Sequence, residues 1–150
     1  MKKANLWILL SAALLFAIDR IAKMWALGLS TEWVVNNYLS FGLAFNRGIN
    51  WGLFNGAGPV AFTLLTIAIG IVIAGLGIIT YGAILQRKPI MGYLLILVGA
   101  VSNFIDRIIY GGVIDFIVLN YGHWSWPAFN IADALILLGI ALVIKNSWQE

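Results

Sequence analysis

The chain has 150 residues, 62% of them hydrophobic and 10% charged, with a formal net charge of +3. An ordinary soluble domain carries about 25% charged residues, so this chain cannot make a normal polar surface and reads as a single integral membrane domain spanning 1–150. The weak, scattered charge excludes a nucleic-acid footprint, and the lack of Cys together with a lone His123 excludes disulfides, thiolate chemistry and a multi-His zinc site, so neither metal nor cofactor is expected.

In chain order, "MKKANLWILLSAALLFAIDRIAKMWAL" opens with two lysines and an apolar run. It continues past Asp19 with no small-residue cleavage site, so it reads as a first span over 6–27 rather than a cleaved leader. Residues 29–58 are rich in Asn and Gly and alternate weakly, as expected of a non-spanning segment with short interfacial strands. Residues 59–84 carry no charge and form a second span, whose Gly70, Gly75, Gly77 and Gly82 are expected to permit close helix contact. The basic turn "LQRKP" leads to a third span over 90–110, interrupted by Gly111-Gly112, and "FNIADALILLGIALVIKNSW" gives a fourth over 129–148.

With four spans, Lys2, Lys3, Arg87, Lys88 and Lys145 fall on one side, which the positive-inside rule makes cytoplasmic. Both termini then lie inside, and 29–58 and 111–128 face outward. The same arrangement brings all four aspartates, Asp19, Asp106, Asp115 and Asp133, to the outer part of the membrane.

A lone Asp at a helix centre costs about 2.5–3.5 kcal/mol on insertion scales. Asp19 and Lys23 are four residues apart and can pair. Asn103, Asp106, Arg107 and Tyr110 share one helix face as a polar knot, in which Arg107 can hold Asp106. Asp115 has no basic neighbour in sequence and follows the Gly111-Gly112 pair, which lets the chain turn back over the bundle. Asp133 sits near the start of the fourth span, three residues after Asn130, where a carboxylate is favoured by the helix dipole or acts as a cap. Two carboxylates meeting in a partly dry site share a proton, so one can take a proton from water while the other gives one to a carbonyl. A serine mechanism would need His123 as its base, and His123 lies in the interfacial stretch "YGHWSWPAF".

The pieces "DRIAK" (19–23), "NRGINWGLF" (46–54), "VGAVSNFIDR" (98–107), "GGVIDFI" (111–117) and "FNIADALI" (129–136) together resemble the lipoprotein signal peptidases, or signal peptidase II, over essentially the whole chain. The resemblance implies an all-α polytopic membrane protein: four transmembrane helices with a small extracytoplasmic β-like cradle and an interfacial helix between the first two spans. It implies an intramembrane aspartic endopeptidase of the bacterial cytoplasmic membrane, acting as a monomer among membrane lipids. Its substrates would be prolipoproteins carrying a diacylglyceryl cysteine, cut immediately before that cysteine. The family's catalytic aspartates fall on Asp115 and Asp133, and its supporting residues on Asn46, Asn103, Asp106, Arg107, Asn130, Asp19 and Lys23. Ser102 stands where the family usually has Gly, adding a hydroxyl able to bond within its helix. Asn50-Trp51 departs from a usual small-plus-Phe pair. The alternative is a proton- or ion-coupled small membrane transporter, which uses intramembrane acids but predicts them spread through the bilayer depth or set in internal repeats.

Overall fold

The computed structural model describes residues 3–48 and 58–148, with side chains from residue 6 onward. Its elements run α1 (Lys3–Ala26), β1 (Trp33–Asn36), β2 (Leu39–Asn46), α2 (Pro59–Leu85), α3 (Met91–Tyr110), β3 (Val113–Tyr121), β4 (Trp124–Ser125) and α4 (Ile131–Ser147). Each of the four expected spans is a helix, with ends displaced by a few residues. By length and composition α2 and α3 are apolar enough to cross a membrane. The helix α1 carries Asp19, Arg20 and Lys23 in its last two turns, and α4 has 17 residues. Leu64, Ile67, Ile71, Val72, Ile78 and Ile79 of α2 are all exposed, a surface suited to lipid rather than water.

The small sheet is antiparallel with order β1-β2-β3-β4. It is larger than the sequence suggests. The segment 111–128, read only as an outward connection, supplies β3 and β4, and β3 pairs with β2 through Ala44 opposite Asp115 and Asn46 opposite Val113. The near-continuous apolar run of β3 fits this place, because Val113, Ile114, Asp115 and Phe116 are all buried. Gly111, at φ 66°, ends α3 in the left-handed conformation and turns the chain into β3, as the Gly pair suggests. Ile114, Phe116 and Ala26 form a core cluster beneath the sheet, and Trp25, Phe41 and Phe116 pack edge-on or stacked around it. The interfacial helix and the Asn50-Trp51 departure fall wholly or mainly on 49–57, outside the described residues.

Close helix approach is not where the sequence placed it. Gly75, Gly77 and Gly82 of α2 have open space where a Cβ would stand, and only Gly70 meets a neighbour, Phe104. The tight seam joins α3 and α4. A Cβ on Gly92 would stand 2.9 Å from the Gly139 carbonyl, one on Gly139 would stand 2.7 Å from the Gly92 carbonyl, and one on Gly99 would collide with the Ala132 carbonyl. The obstacles are backbone atoms, which cannot swing aside. Gly139→Val is therefore expected to lower stability by about 1–3 kcal/mol through overpacking, whereas Gly77→Ala should leave it unchanged. Thermal unfolding of the two variants in the same detergent checks the contrast.

Candidate active site

The polar groups gather where the C-terminal ends of α1 and α3, the start of α4 and strand β3 converge. Lys23 is the hub. Its side chain is fully buried, and Nζ lies 3.1 Å from Asp19 Oδ2, 2.7 Å from Asp106 Oδ2 and 2.7 Å from Asn103 Oδ1. The Asp19–Lys23 pairing follows the four-residue spacing seen in the sequence. Asp19 also accepts from the Ser102 hydroxyl at 2.5 Å and from the Ala132 N–H at 2.8 Å, so it closes the N-terminus of α4 from a different helix. Ser102 thus bonds between helices, not within its own.

Asp106 is held by Arg20, Lys23 and the Ile114 N–H, which ties α1, α3 and β3 together. The expected bond from Arg107 to Asp106 is absent. Arg107 instead donates to the carbonyls of Gly48, at 2.5 Å, and Arg47, at 3.4 Å, and lies 6.0 Å over the Phe62 ring. Tyr110 is exposed and outside the knot. Adjacent residues of a helix point about 100° apart, so Asp106 and Arg107 face different partners. The sequence reading missed Arg20, although a cation next to Asp19 in an apolar helix was itself a signal.

Asp115 and Asp133 are brought together through Asn130. The segment before α4 pairs with β3, with Phe129 and Ile117 exchanging backbone bonds of 2.8 and 3.0 Å, and this delivers Asn130 beside Asp115. Asn130 is the N-cap of α4 rather than a residue inside it. Its Oδ1 accepts from the Asp133 N–H at 2.9 Å, and its own N–H donates to Asp133 Oδ2 at 3.2 Å, a reciprocal capping box. Its Nδ2 donates to Asp115 Oδ1 at 2.6 Å. Asn46 Nδ2 donates to Asp115 Oδ2 at 3.1 Å, and Asn103 Nδ2 to Asp133 Oδ1 at 2.8 Å. Each of the four carboxylate oxygens therefore receives one amide donor.

A cavity of about 150 Å³ opens between α2, α3 and α4, with Asn46, Asn103, Arg107 and Asp133 among its lining residues. A second, of about 500 Å³, also reaches Asp133 and is otherwise apolar, lined by Leu119, Trp126, Pro127, Ala128, Phe129, Ala134 and Leu137. Asp115 is only 2% exposed. Its burial, and then the neighbouring charge of Asp133, push its pKa from the ordinary 3.8 up to about 7 against the pull of Asn46, Asn130 and Lys23.

Asp115, buried, and Asp133, half-buried, are two carboxylates supplied by neutral amides at one end of an apolar helix bundle, an arrangement compatible with an aspartic-type peptidase in a membrane. The chain belongs to the signal peptidase II family, whose model, described as "Signal peptidase (SPase) II", matches residues 11–149. It is 35% identical to a lipoprotein signal peptidase of Pseudoalteromonas atlantica, covering 99% of this chain and 93% of that protein. It is 38% identical to one of Dichelobacter nodosus, covering 95% and 93%. The fold matches a solved bacterial membrane enzyme with TM-score 0.70 and 28% identity, covering 95% of this chain and 87% of that one. The protein is accordingly an aspartic-type peptidase and a membrane protein.

The raised pKa of Asp115 has a signed consequence for stability. Between pH 3.8 and about 7 the folded protein holds a proton that the unfolded chain has released, so this residue's contribution to stability falls as pH rises through that window. Asp115→Asn removes the effect. The variant should gain thermal stability relative to wild type as pH is raised from 4 to 7 (roughly the window that linkage gives) and gain no more above it. A stability difference independent of pH would contradict the assignment.

Proposed function

We propose that the protein removes signal peptides from diacylglyceryl-modified bacterial prolipoproteins, cutting immediately before the lipidated cysteine, with Asp115 and Asp133 as the catalytic pair. The observation that carries the reading is the amide supply of this pair: every carboxylate oxygen accepts from Asn46, Asn103 or Asn130, and none is bonded to a cation among the described residues. Such a pair keeps one proton between its members. The ionised member takes a proton from water as the water oxygen attacks the scissile carbonyl. The protonated member gives its proton to the carbonyl oxygen; on collapse of the tetrahedral intermediate the first acid passes water's proton to the leaving amine and the second takes one back from a hydroxyl of the intermediate, which restores the pair. The pair titrates as a unit.

Asn46, Asn103 and Asn130 orient the carboxylates, while Arg107, on the small cavity beside Asp133, stabilises local charge and holds the carbonyls of residues 47 and 48. Asp19, Lys23 and Asp106 hold the frame. The lipoprotein substrate is supported by the names of the relatives.

In the membrane, four spans with both termini cytoplasmic put the pair near the outer leaflet. The positions of Lys2, Lys3, Arg87, Lys88 and Lys145 support this. Cysteines introduced singly test it, since the chain has none. An impermeant reagent should label one beside His123 in intact cells and leave one beside Lys88 untouched, and the reverse pattern would invert the topology.

Asn nearly matches Asp in size but cannot exchange a carboxyl proton. Asp115→Asn and Asp133→Asn should each remain folded and lose cleavage of a lipidated precursor by about 10²–10⁴-fold or more, the scale of a lost proton transfer. Asp19→Asn keeps one oxygen, enough for the Ala132 N–H or for Lys23 and Ser102 but not for both, so it should lower the folded yield first and the turnover of the folded fraction less. A gel-shift cleavage assay with size-exclusion profiles checks both. A monodisperse Asp115→Asn or Asp133→Asn enzyme with near-normal turnover would sink the pair.

A further inference from the structure

We infer that Lys23 is a positioning residue for Asp133, acting through Asn103: its buried ammonium fixes which end of the Asn103 amide faces the carboxylate. The inference rests on the catalytic reading of Asp133 given above. An ammonium has three donors and no acceptor. In Lys23 all three are directed at oxygen: Asp19 Oδ2, Asp106 Oδ2 and Asn103 Oδ1. Only the carbonyl end of the Asn103 amide can face such a group.

The amide is a rigid two-ended unit, so this choice decides its other end. Nδ2 must point away from Lys23, and it meets Asp133 Oδ1 at 2.8 Å. Asn130 Nδ2 also reaches Asn103 Oδ1, at 3.2 Å. That bond is longer, and the same Nδ2 is shared with Asp115 Oδ1 and the Ile114 carbonyl. Two acceptors on Asn103 Oδ1 are thereby used, and the stronger donor is the ammonium. Turning the amide over would set Nδ2 against the ammonium and Oδ1 against a carboxylate oxygen, two repulsive contacts in place of two bonds.

A chain of fixed polarity therefore runs from Lys23 through Asn103 to Asp133. A second runs from the Asp133 N–H at the start of α4, through Asn130, to Asp115. Both chains end on a donor to a carboxylate oxygen and present no acceptor to it. Lys23 touches neither acid of the pair.

A purely mechanical role for Lys23, fastening α1 to α3, makes a different forecast. In Lys23→Met both framework acids keep other donors: Asp19 retains the Ser102 hydroxyl and the Ala132 N–H, and Asp106 retains Arg20 and the Ile114 N–H. The variant loses the polarity and keeps much of the fastening.

The experiment measures kcat and KM separately for a diacylglyceryl-modified precursor, on the monodisperse fraction of the purified full-length enzyme. For Lys23→Met the expected result is a fall in kcat of about 10²-fold, the scale of a misplaced catalytic group, with KM unchanged. Asn103→Asp is the companion variant. It keeps an oxygen for Lys23, removes the donor to Asp133 and sets a second carboxylate against that acid, so kcat of its monodisperse fraction should fall at least as far. A Lys23→Met enzyme with lowered melting temperature and normal kcat in its folded fraction would overturn the proposal, leaving Lys23 a fastener. If Lys23→Met does not fold, Asn103→Asp decides: normal kcat overturns the proposal and a specific loss of kcat upholds it. Asp115→Asn and Asp133→Asn run alongside. If they cleave, the catalytic reading itself has failed; if they do not while Lys23→Met does, only this inference has.

Discussion

Four carboxylates at one end of an apolar bundle must each be supplied with donors, because an unpaired buried charge is far too costly to keep. The rest of the site follows from how that demand is met. Asp19 and Asp106 are matched by the cations Lys23 and Arg20. Among the described residues, Asp115 and Asp133 receive only neutral amides. The first pair is tied into ion pairs that hold the frame, while the second is the pair proposed to share a proton. No buried side-chain nitrogen or oxygen among the described residues lacks a partner. A network in that condition is rigid, and rigidity is what holds two acids in a reactive relation without substrate.

The fold is arranged to bring those donors to one place. The glycine seam lets α3 and α4 approach closely enough for Asn103 to reach Asp133. Asp19 reaches across from α1 to the first turn of α4, and the Asn130 capping box fixes the direction in which that helix begins. Strand β3 joins the sheet beside β2, with Asp115 between buried Ile114 and Phe116. Asn46, two register positions from Ala44 on β2, supplies the remaining amide. Secondary structure that looks incidental to a helical membrane protein thus carries Asp115, one half of the proposed pair.

Much of this was legible in the sequence. Apolar runs of spanning length gave four helices to within a few residues, and the charge pattern put every aspartate at one end. Asp19–Lys23 was readable because i,i+4 spacing is local. What was not legible depended on contacts between distant segments. Arg107 turns to the carbonyls of 47 and 48 instead of its neighbour Asp106, and Ser102 bonds to Asp19 instead of its own helix. Strand β3 hid because a strand buried on both faces has no alternation to betray it. The α2 glycines misled because a small residue permits close approach without causing it; only the facing helix decides, and that helix turned out to be opposite Gly92 and Gly99.

The central claim is that Asp115 and Asp133 sense each other as one titrating pair. Infrared titration of the purified protein tests it most directly, by following the protonated-carboxyl band with pH. In the wild type a band should be lost with a midpoint near about 7, and it should be missing in Asp115→Asn. In Asp133→Asn the midpoint should move down, because the neighbouring negative charge that raises it is gone. A midpoint that stays in place in Asp133→Asn would mean that the two carboxylates are independent, and would contradict the account.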